Sequence, residues 1–385
     1  MSKTYCIFSA QYLPHMGGVE RYTNCLAKGL AARGNKVLIV TTNPGDLPDH
    51  EQIDGIPVLR LPSVPLIDGR FPVPKPGRHF FRLHRKLKRL SFDVVLVNTR
   101  FYFHSLYGIL YGRSHRSRTL VLDHGSGHLS VQNGFFDFLG GLFEHGITAL
   151  EKCFCKEFYG VSAASSQWLT HFHIKARGTL PNAVDLPWIE NQLAHPATDF
   201  RAKYHIPADA PVFVYTGRLL PEKGLRPLTE AFIQLRQSRP DAYLILAGDG
   251  PLEHELAKLS DPHLILTGRL DAAAVTDLLG SSDIFCLPSV SEGFSTSILE
   301  AVACHCYVLV TKNACPFELL EDSSFASIIE EAKPDLIEKA MTDALEEEDR
   351  RAKACEKAYQ RLEAQFTWDR TVEKLITLTK ENKTQ

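Results

Sequence analysis

The chain has no apolar run approaching the ~20 residues that a helix needs to cross a bilayer. Its first apolar stretch, residues 5–10, is too short for a signal peptide and ends without a cleavage pattern, so it predicts a strand. The nine cysteines are odd in number and unevenly scattered. This argues against a disulfide framework and for a reducing compartment. We therefore expect a cytoplasmic protein.

Two sequence patterns for common ligands are also missing. No Gly-x-Gly-x-x-Gly occurs, which counts against a nicotinamide dehydrogenase. No Asp-x-Asp occurs, so there is no evident carboxylate pair to hold a divalent metal on a diphosphate. Cys-His-Cys at residues 304–306 and Cys-Phe-Cys at 153–155 lack a second pair at zinc-finger spacing, and buried free thiols explain them better. We expect no metal site.

The length and the charge distribution predict two dissimilar domains. A chain of 385 residues exceeds one ordinary core and fits two domains of roughly 150–200 residues. Residues 1–180 hold 22 Lys+Arg against 12 Asp+Glu, whereas residues 181–385 hold 21 against 33. This asymmetry suggests that the first domain faces an anionic partner. We do not expect that partner to be a nucleic acid.

The opening of the chain is typical of a doubly wound α/β domain. A strand at 4–10 precedes a helix at 19–32 and a second buried strand at 37–42. Gly17 and Gly18, at the start of the helix, allow a pyrophosphate to approach the backbone closely. A glycine turn needed only for chain geometry is an equally good explanation.

Two further strands, at 93–98 and 119–123, complete the first sheet. His124 follows the second of them, at the carboxyl edge where open α/β sheets bind ligands. A structural histidine is the common alternative at such a position.

The second half repeats the strand-loop-helix pattern. Strand 212–216 leads into the loop 217–224, in which Arg218 and Lys223 offer a planar fork and a point charge to phosphates. Two solvated loop cations are the simpler alternative. Strands at 243–247 and 264–268 follow, and each ends in a glycine turn.

The most informative stretch begins after a buried strand at 283–287. Ser295 to Ser297 offer N-caps for a helix, whose first amides and dipole favour an anion. Glu292 lies on the turn before this helix. Glu300 lies more than one turn into it, where a carboxylate can accept hydrogen bonds from a diol. Two solvated surface acids are the alternative.

Together these residues resemble the retaining GT-B glycosyltransferases of family 4. The resemblance covers nearly the whole chain and is most specific at 217–224 and 292–300. It implies two Rossmann-like α/β domains facing a cleft, with a C-terminal helix that packs back on the first domain. The expected boundaries are 1–188 for the acceptor domain, 189–364 for the nucleotide-sugar domain and 365–385 for the returning helix.

The resemblance also implies roles for individual residues. Those expected to be catalytic are Glu292, His124, Arg218 and Lys223. Those expected to bind the donor are Gly17, Gly18, Gly217, Arg269, Leu270, Phe294, Ser295, Thr296 and Glu300. Those expected on the acceptor side are Glu20, Asn98 and Arg100. The donor is expected to be a nucleoside diphosphate sugar, UDP favoured over GDP, with no cofactor and no metal.

The implied function is sugar transfer, with retention of configuration, to a hydroxyl of a glycan or lipid-linked acceptor in cell-surface polysaccharide synthesis. One departure concerns residues 304–307, Cys-His-Cys-Tyr, where the family usually has a Cys-Gly-x-Pro-like turn. The donor is therefore left open. The alternatives are a sugar-nucleotide epimerase and a non-catalytic nucleotide-sugar binding protein on the same scaffold, which a transfer assay distinguishes.

A basic helix is predicted at 78–89. Phe80, Leu83, Leu87 and Leu90 form a narrow apolar stripe. The remaining surface is largely covered by Arg82, Arg85, Lys86, Lys88 and Arg89. Such a helix suits peripheral contact with the anionic inner face of the cell membrane. A solvated surface helix is the alternative.

Overall fold

The computed structural model describes residues 2–45, 47–67, 69, 71–128, 134–259, 261–290, 292 and 294–380, and only the backbone of residues 135 and 136. The chain divides into two compact units. Unit 1 comprises Met1–Asn182 and Trp368–Gln385, and unit 2 comprises Ala183–Thr367.

Each unit is built on its own sheet. The strands of unit 1 are β1 (Thr4–Ser9), β2 (Lys36–Asn43), β3 (His50–Ile53), β4 (Ile56–Leu66), β5 (Phe71–Pro74), β6 (Val94–Asn98), β7 (Arg118–Asp123) and β8 (Phe158–Gly160). The strands of unit 2 are β9 (Val212–Thr216), β10 (Tyr243–Ala247), β11 (Leu264–Gly268), β12 (Ile284–Leu287), β13 (Tyr307–Thr311) and β14 (Ser327–Ile329).

The strand orders are those of doubly wound sheets. Unit 1 has the order β3-β4-β2-β1-β6-β7-β8, with β5 added on β4, and unit 2 has the order β11-β10-β9-β12-β13-β14. Pairing is parallel except where β3 and β5 run antiparallel to β4. The central strands β1, β6, β9 and β12 are buried along nearly their whole length, because helices cover both faces of such a sheet.

The helices alternate with these strands. They are α1 (Gly18–Ala32), α2 (Arg78–Leu87), α3 (Phe103–Ser114), α4 (Gly134–Phe154), α5 (Ala163–His171), α6 (Leu186–Ala194), α7 (Phe200–Lys203), α8 (Leu225–Leu235), α9 (Glu253–Leu256), α10 (Ala272–Gly280), α11 (Thr296–Ala303), α12 (Pro334–Glu346), α13 (Glu348–Gln365) and α14 (Trp368–Lys380). A 3-10 turn, Pro221–Lys223, precedes α8. Among the described residues, no helix is both long and apolar enough to span a membrane.

The terminal helix α14 packs on α1 within unit 1. Gly29 on α1 makes room for Val372, since a Cβ placed on Gly29 would lie 2.6 Å from Val372 Cγ2. The ring of Trp368 stands edge-on to Tyr22 at 5.1 Å between centroids. The returning C-terminal helix is therefore confirmed, as is the α/β class with two Rossmann-like units.

Most of the predicted elements are confirmed within two residues at each end. The basic helix is α2, although it ends at Leu87. The antiparallel additions β3 and β5 were not predicted. Both are short strands with mixed burial, so they lack the continuous apolar run that marked the central strands.

Candidate functional site

In unit 2, the loops that follow the neighbouring strands β9 and β12 are joined by backbone contacts. The carbonyl of Glu222 accepts hydrogen bonds from Val290 N (2.8 Å) and Ser289 Oγ (3.0 Å). Gly224 has a φ of 70°, and a Cβ placed on it would lie 1.9 Å from the carbonyl oxygen of Pro288. Only glycine fits there, because both its conformation and its neighbour exclude a side chain.

The loop after β10 meets the same loop of β9. Leu219 N donates to the carbonyl of Asp249 at 2.7 Å. A Cβ placed on Gly248 would lie 1.8 Å from the carbonyl oxygen of Gly217, and one on Gly250 would lie 2.5 Å from that of Leu219. The loops after β9, β10 and β12 are thus held together by close contacts between their backbones.

This arrangement brings Lys223 and Glu292 together. Lys223 Nζ lies 2.5 Å from Glu292 Oε1, and the two side chains are 22% and 13% exposed. An ammonium carries three donors, so Lys223 can hold Glu292 and an anion at the same time. The sequence placed both residues in the site but gave no indication that they contact each other, since they are 69 positions apart.

The start of α11 lies directly beyond Glu292 in the chain. Ser295 is the N-cap residue, and its Oγ lies 2.7 Å from Ser297 Oγ. Glu300 is half-buried on the same helix. The eight-residue helix directs its positive end towards the turn. This geometry suits a ligand with an anionic group at the start of the helix and a polar group one turn further along, beside Glu300.

The other predicted site residues of unit 2 do not all lie beside this ion pair. Arg218 and Arg269 are exposed, at the beginning of the loops after β9 and β11. Leu270 packs partly against the core of unit 2. The ring of Phe294 lies nearly parallel to that of Phe366, at 5.8 Å. The side chain of Phe294 therefore has a packing role, which the sequence did not predict.

In unit 1, His124 is held by a chain of hydrogen bonds. Asn98 Nδ2 donates to Thr23 Oγ1 (2.6 Å), so Asn98 presents its Oδ1 to His124 Nε2 at 3.3 Å. His124 Nε2 is then the donor, and Nδ1 carries the lone pair. Burial lowers the pKa of His124 to about 3. The imidazole is consequently neutral at physiological pH.

The two glycines at the beginning of α1 differ in their surroundings. A Cβ placed on Gly18 would meet nothing within 4 Å, whereas one on Gly17 would meet Glu20 Oε2 at 2.6 Å. Glu20 is buried. Tyr102 lies within its electrostatic influence, and burial together with the Glu20 charge raises the pKa of Tyr102 to about 12.

Arg100 was predicted on the acceptor side, and the structure corrects this. Its side chain is 1% exposed and is paired with Asp123 (3.2 Å) and Glu144 (2.7 Å). It also donates to Thr148 Oγ1 at 3.1 Å. A guanidinium with these partners has a structural role. Asn98 is likewise fully buried, and it contacts His124.

The cysteine predictions are mostly confirmed. Cys155, Cys304 and Cys306 are buried free thiols. Burial raises the pKa of Cys304 to about 12, which leaves that thiol protonated. Cys153 differs, because it is exposed on α4.

Sequence reasoning missed a group of three histidines in unit 1. His128 follows β7, His145 lies on α4 and His171 ends α5, and their ring nitrogens lie within 4.8 Å of one another. Spacings of 17 and 26 positions match no metal-binding motif, so only the packing of these helices could reveal the group.

Comparison with known proteins identifies the class. The family model described as Glycosyltransferase Family 4 matches residues 16–187, and that described as Glycosyl transferases group 1 matches residues 196–361. An uncharacterized glycosyltransferase of Methanocaldococcus jannaschii is 24% identical over 385 residues, which is 95% of each chain. The alpha-monoglucosyldiacylglycerol synthase of Acholeplasma laidlawii is 24% identical over 339 residues, 79% of each chain.

The fold is also that of a solved glycosyltransferase from Rickettsia africae, with a TM-score of 0.72 at 19% identity over all of both chains. The crystal structure of Anabaena HepE in complex with UDP has a TM-score of 0.72 at 17% identity, over 99% of this chain and all of that one, and another HepE structure holds UDP-glucose. Two Rossmann-like units with this likeness define the GT-B fold. The chain belongs to the glycosyltransferases of the family 4 type.

Proposed function

We propose that the protein transfers a sugar from a nucleoside diphosphate sugar to an acceptor hydroxyl, with retention of configuration and without a metal ion. UDP is the favoured nucleotide, which agrees with the UDP and UDP-glucose complexes of HepE. The observation that carries the proposal is the Lys223–Glu292 pair, where the loops after β9 and β12 meet in unit 2.

Positive groups at this place suit the diphosphate. Lys223 and Arg218, together with the start of α11, meet the negative charge that grows as the nucleoside diphosphate departs. Glu300 accepts hydrogen bonds from the ribose hydroxyls. Glu292, fixed by Lys223, orients the sugar and stabilises its positive character in the transition state.

The reaction needs no nucleophilic side chain. The acceptor oxygen attacks the anomeric carbon on the face from which the diphosphate leaves. The bond from that carbon to the phosphate oxygen breaks, and the departing phosphate takes the proton of the acceptor hydroxyl. The configuration at the anomeric carbon is kept because attack and departure share one face.

In unit 1, His124 and the beginning of α1 complete the proposal. A neutral His124 contributes a hydrogen bond to the transferred sugar without adding a charge. The open space in front of Gly18 allows donor phosphates or an acceptor to approach the helix amides. Glu20, in the first turn of α1, lies on the acceptor side.

A transfer assay with variants of the ion pair tests the donor site. Glu292→Gln and Lys223→Met should each lower turnover on the order of 10²–10³-fold, while donor affinity falls much less. The exposed pair Lys312–Glu330, 3.1 Å apart in the same unit, supplies the matched controls Lys312→Met and Glu330→Gln, which should leave turnover unchanged.

The same assay tests two further parts of the proposal, the retention of configuration and the independence of metal. The product should show the anomeric configuration of the donor by NMR, and EDTA should leave the rate intact. An inverted product would refute retention. Activity that disappears in EDTA and returns with magnesium or manganese would refute the metal-free mechanism.

The acceptor is proposed to be lipid-linked and reached by peripheral docking of unit 1 on an anionic membrane. The basic side chains of α2 and of the two residues after it are exposed; they are Arg82, Arg85, Lys86, Lys88 and Arg89. The helix is anchored beneath by Leu83 and Leu87, which are 1% and 0% exposed. Each cation near an anionic surface contributes roughly 1 kcal/mol.

Exposed apolar side chains accompany this charge. His84 on α2 contacts Tyr107 OH on α3 at 2.8 Å, and Phe103 on α3 meets Phe143 on α4 at 5.2 Å. Helix α3 therefore contacts both α2 and α4. Their exposed apolar residues include Phe81, Phe103, Phe138, Leu139 and Leu142. Apolar groups beside cations suit a membrane interface, and the relative from Acholeplasma laidlawii is named for a glycolipid product.

Vesicle co-sedimentation tests the docking. Binding should require anionic lipid, fall with added salt, and drop when Arg85, Lys86, Lys88 and Arg89 become Ser. The control replaces four other exposed cations of unit 1, Arg113, Arg116, Lys175 and Arg177, with Ser, which changes the net charge equally. Equal losses in both variants, or equal activity on a soluble sugar without vesicles, would refute docking through α2.

A further inference from the structure

The three histidines of unit 1 have the arrangement of metal ligands. His145 Nε2 and His171 Nε2 lie 3.1 Å apart. Nitrogen ligands at about 2.0–2.1 Å from a tetrahedral zinc ion are separated from one another by roughly 3.3 Å. The pair therefore already has the spacing of two ligands on one ion.

The third ring is oriented by a buried carboxylate. Glu144 Oε2 accepts a hydrogen bond from His128 Nδ1 at 2.6 Å, and the Glu144 side chain is 6% exposed. The proton on Nδ1 leaves the lone pair on Nε2, the atom that then binds a metal. Metal-ligating histidines usually have such a partner on the second nitrogen.

The orienting carboxylate is itself fixed. Glu144 Oε1 lies 2.7 Å from the buried guanidinium of Arg100, so Glu144 is held on both oxygens. Two aromatic side chains pack against the imidazoles: Trp168 stacks on His171 at 4.7 Å, and Phe172 lies 4.7 Å from His145. The histidines are exposed, which gives their rings room to turn towards a common centre.

We infer that His128, His145 and His171 bind a single divalent transition-metal ion, zinc by preference, with water in the fourth position. Three imidazoles without carboxylate or thiolate ligands suit zinc, copper or nickel and do not suit magnesium or calcium. The ion would join α4, α5 and the segment after β7. All three of these elements belong to unit 1.

Metal titration of tag-free protein tests the inference. After EDTA treatment and dialysis, the protein should bind one zinc ion per chain. Cobalt should give the visible absorption of a tetrahedral site, and zinc should displace it. His145→Gln and His171→Gln should each weaken binding by more than the roughly 10–100-fold that loss of an outer partner costs. Far-UV circular dichroism of the metal-free variants checks that they fold.

Two controls separate this site from adventitious binding. His50→Gln removes an exposed histidine from β3 in the same unit and should leave zinc affinity unchanged. Cys153→Ser removes the exposed thiol of α4 and should also leave it unchanged. The inference is wrong if micromolar zinc does not bind, if both histidine variants bind as the unaltered protein does, or if Cys153→Ser abolishes binding.

Discussion

The two units hold their strand-end loops by different means. In unit 2 the loops are fixed by backbone approach, with glycine at 224, 248 and 250 wherever a side chain would collide with a carbonyl. In unit 1 they are fixed by buried polar side chains, through Asn98 behind His124 and Arg100 behind Asp123. The two units share one fold class, so the difference lies in local chemistry.

The charged pairs show the same contrast. The Arg100–Asp123 pair has both side chains 1% exposed, whereas Lys223–Glu292 is partly open. A fully buried ion pair stabilises the fold only when hydrogen bonds satisfy the polar atoms of both side chains. A partly open pair keeps donors and acceptors within reach of a ligand. Unit 1 should therefore be sensitive to loss of a buried side chain, and unit 2 to loss of a glycine.

The largest effect should come from Arg100→Met. It would leave the buried acids Asp123 and Glu144 without their counter-ion, close to Glu151, whose pKa burial raises well above its usual range. Breaking a buried pair in this way costs about 3–5 kcal/mol. Hydrogen exchange of the unit 1 strands measures it. Arg113→Met, an exposed arginine on α3, should change little, and an equally small effect of Arg100→Met would contradict the structural role.

Gly224→Ala tests whether backbone fit holds the loops of unit 2. The new Cβ would collide with the Pro288 carbonyl at a left-handed φ, so unit 2 should lose roughly 3 kcal/mol or more. Transfer activity should fall as well, because Lys223 precedes this glycine. Hydrogen exchange of β9 and β12 reports the stability. A variant of normal stability would show that the loops are not held by backbone fit.

The sequence predicted the central strands and the positions of Lys223 and Glu292 because apolar runs and glycine-bearing loops are local signals. It could not predict the contact between them, which depends on β9 and β12 being neighbours. The acceptor-side role was predicted for Arg100 for a related reason. It follows a strand end as a ligand-binding residue would, and its acidic partners Asp123 and Glu144 come from a later strand and helix. The three histidines depend on packing alone.

Unit 1 should also respond to acid through a buried histidine. His104 Nε2 donates to the Val40 carbonyl at 2.9 Å, and burial lowers the pKa of His104 to about 4. An unfolded histidine has a pKa of about 6.5. The unfolded chain therefore binds more protons between these values, so the contribution is complete above pH 6.5 and falls by about 3 kcal/mol as the pH drops to 4.

His104→Gln isolates this term, because glutamine keeps an N–H donor and does not titrate. The difference from the unaltered protein is needed because Asp123 acts in the opposite direction. Burial raises the pKa of Asp123 to about 6, so its contribution diminishes as the pH rises from about 4 towards 6. Hydrogen exchange at several pH values measures the stability of unit 1. This stability should fall less steeply in acid for the variant than for the unaltered protein. If both fall equally, His104 titrates normally.

The smallest stability change should come from Gly18→Ala, which tests whether a substrate approaches the start of α1. Gly18 is the first residue of α1, and an added Cβ meets nothing within 4 Å, so stability should rise by about 0.4–1 kcal/mol. If a substrate approaches the helix amides there, the methyl group should still lower kcat/KM about tenfold, which is ~1.4 kcal/mol. Gly134→Ala is the matched control, since Gly134 begins α4 and has the same open surroundings. Unchanged kcat/KM in both variants would show that the Gly17-Gly18 pair serves only as a turn and that the substrate does not approach unit 1 at this helix.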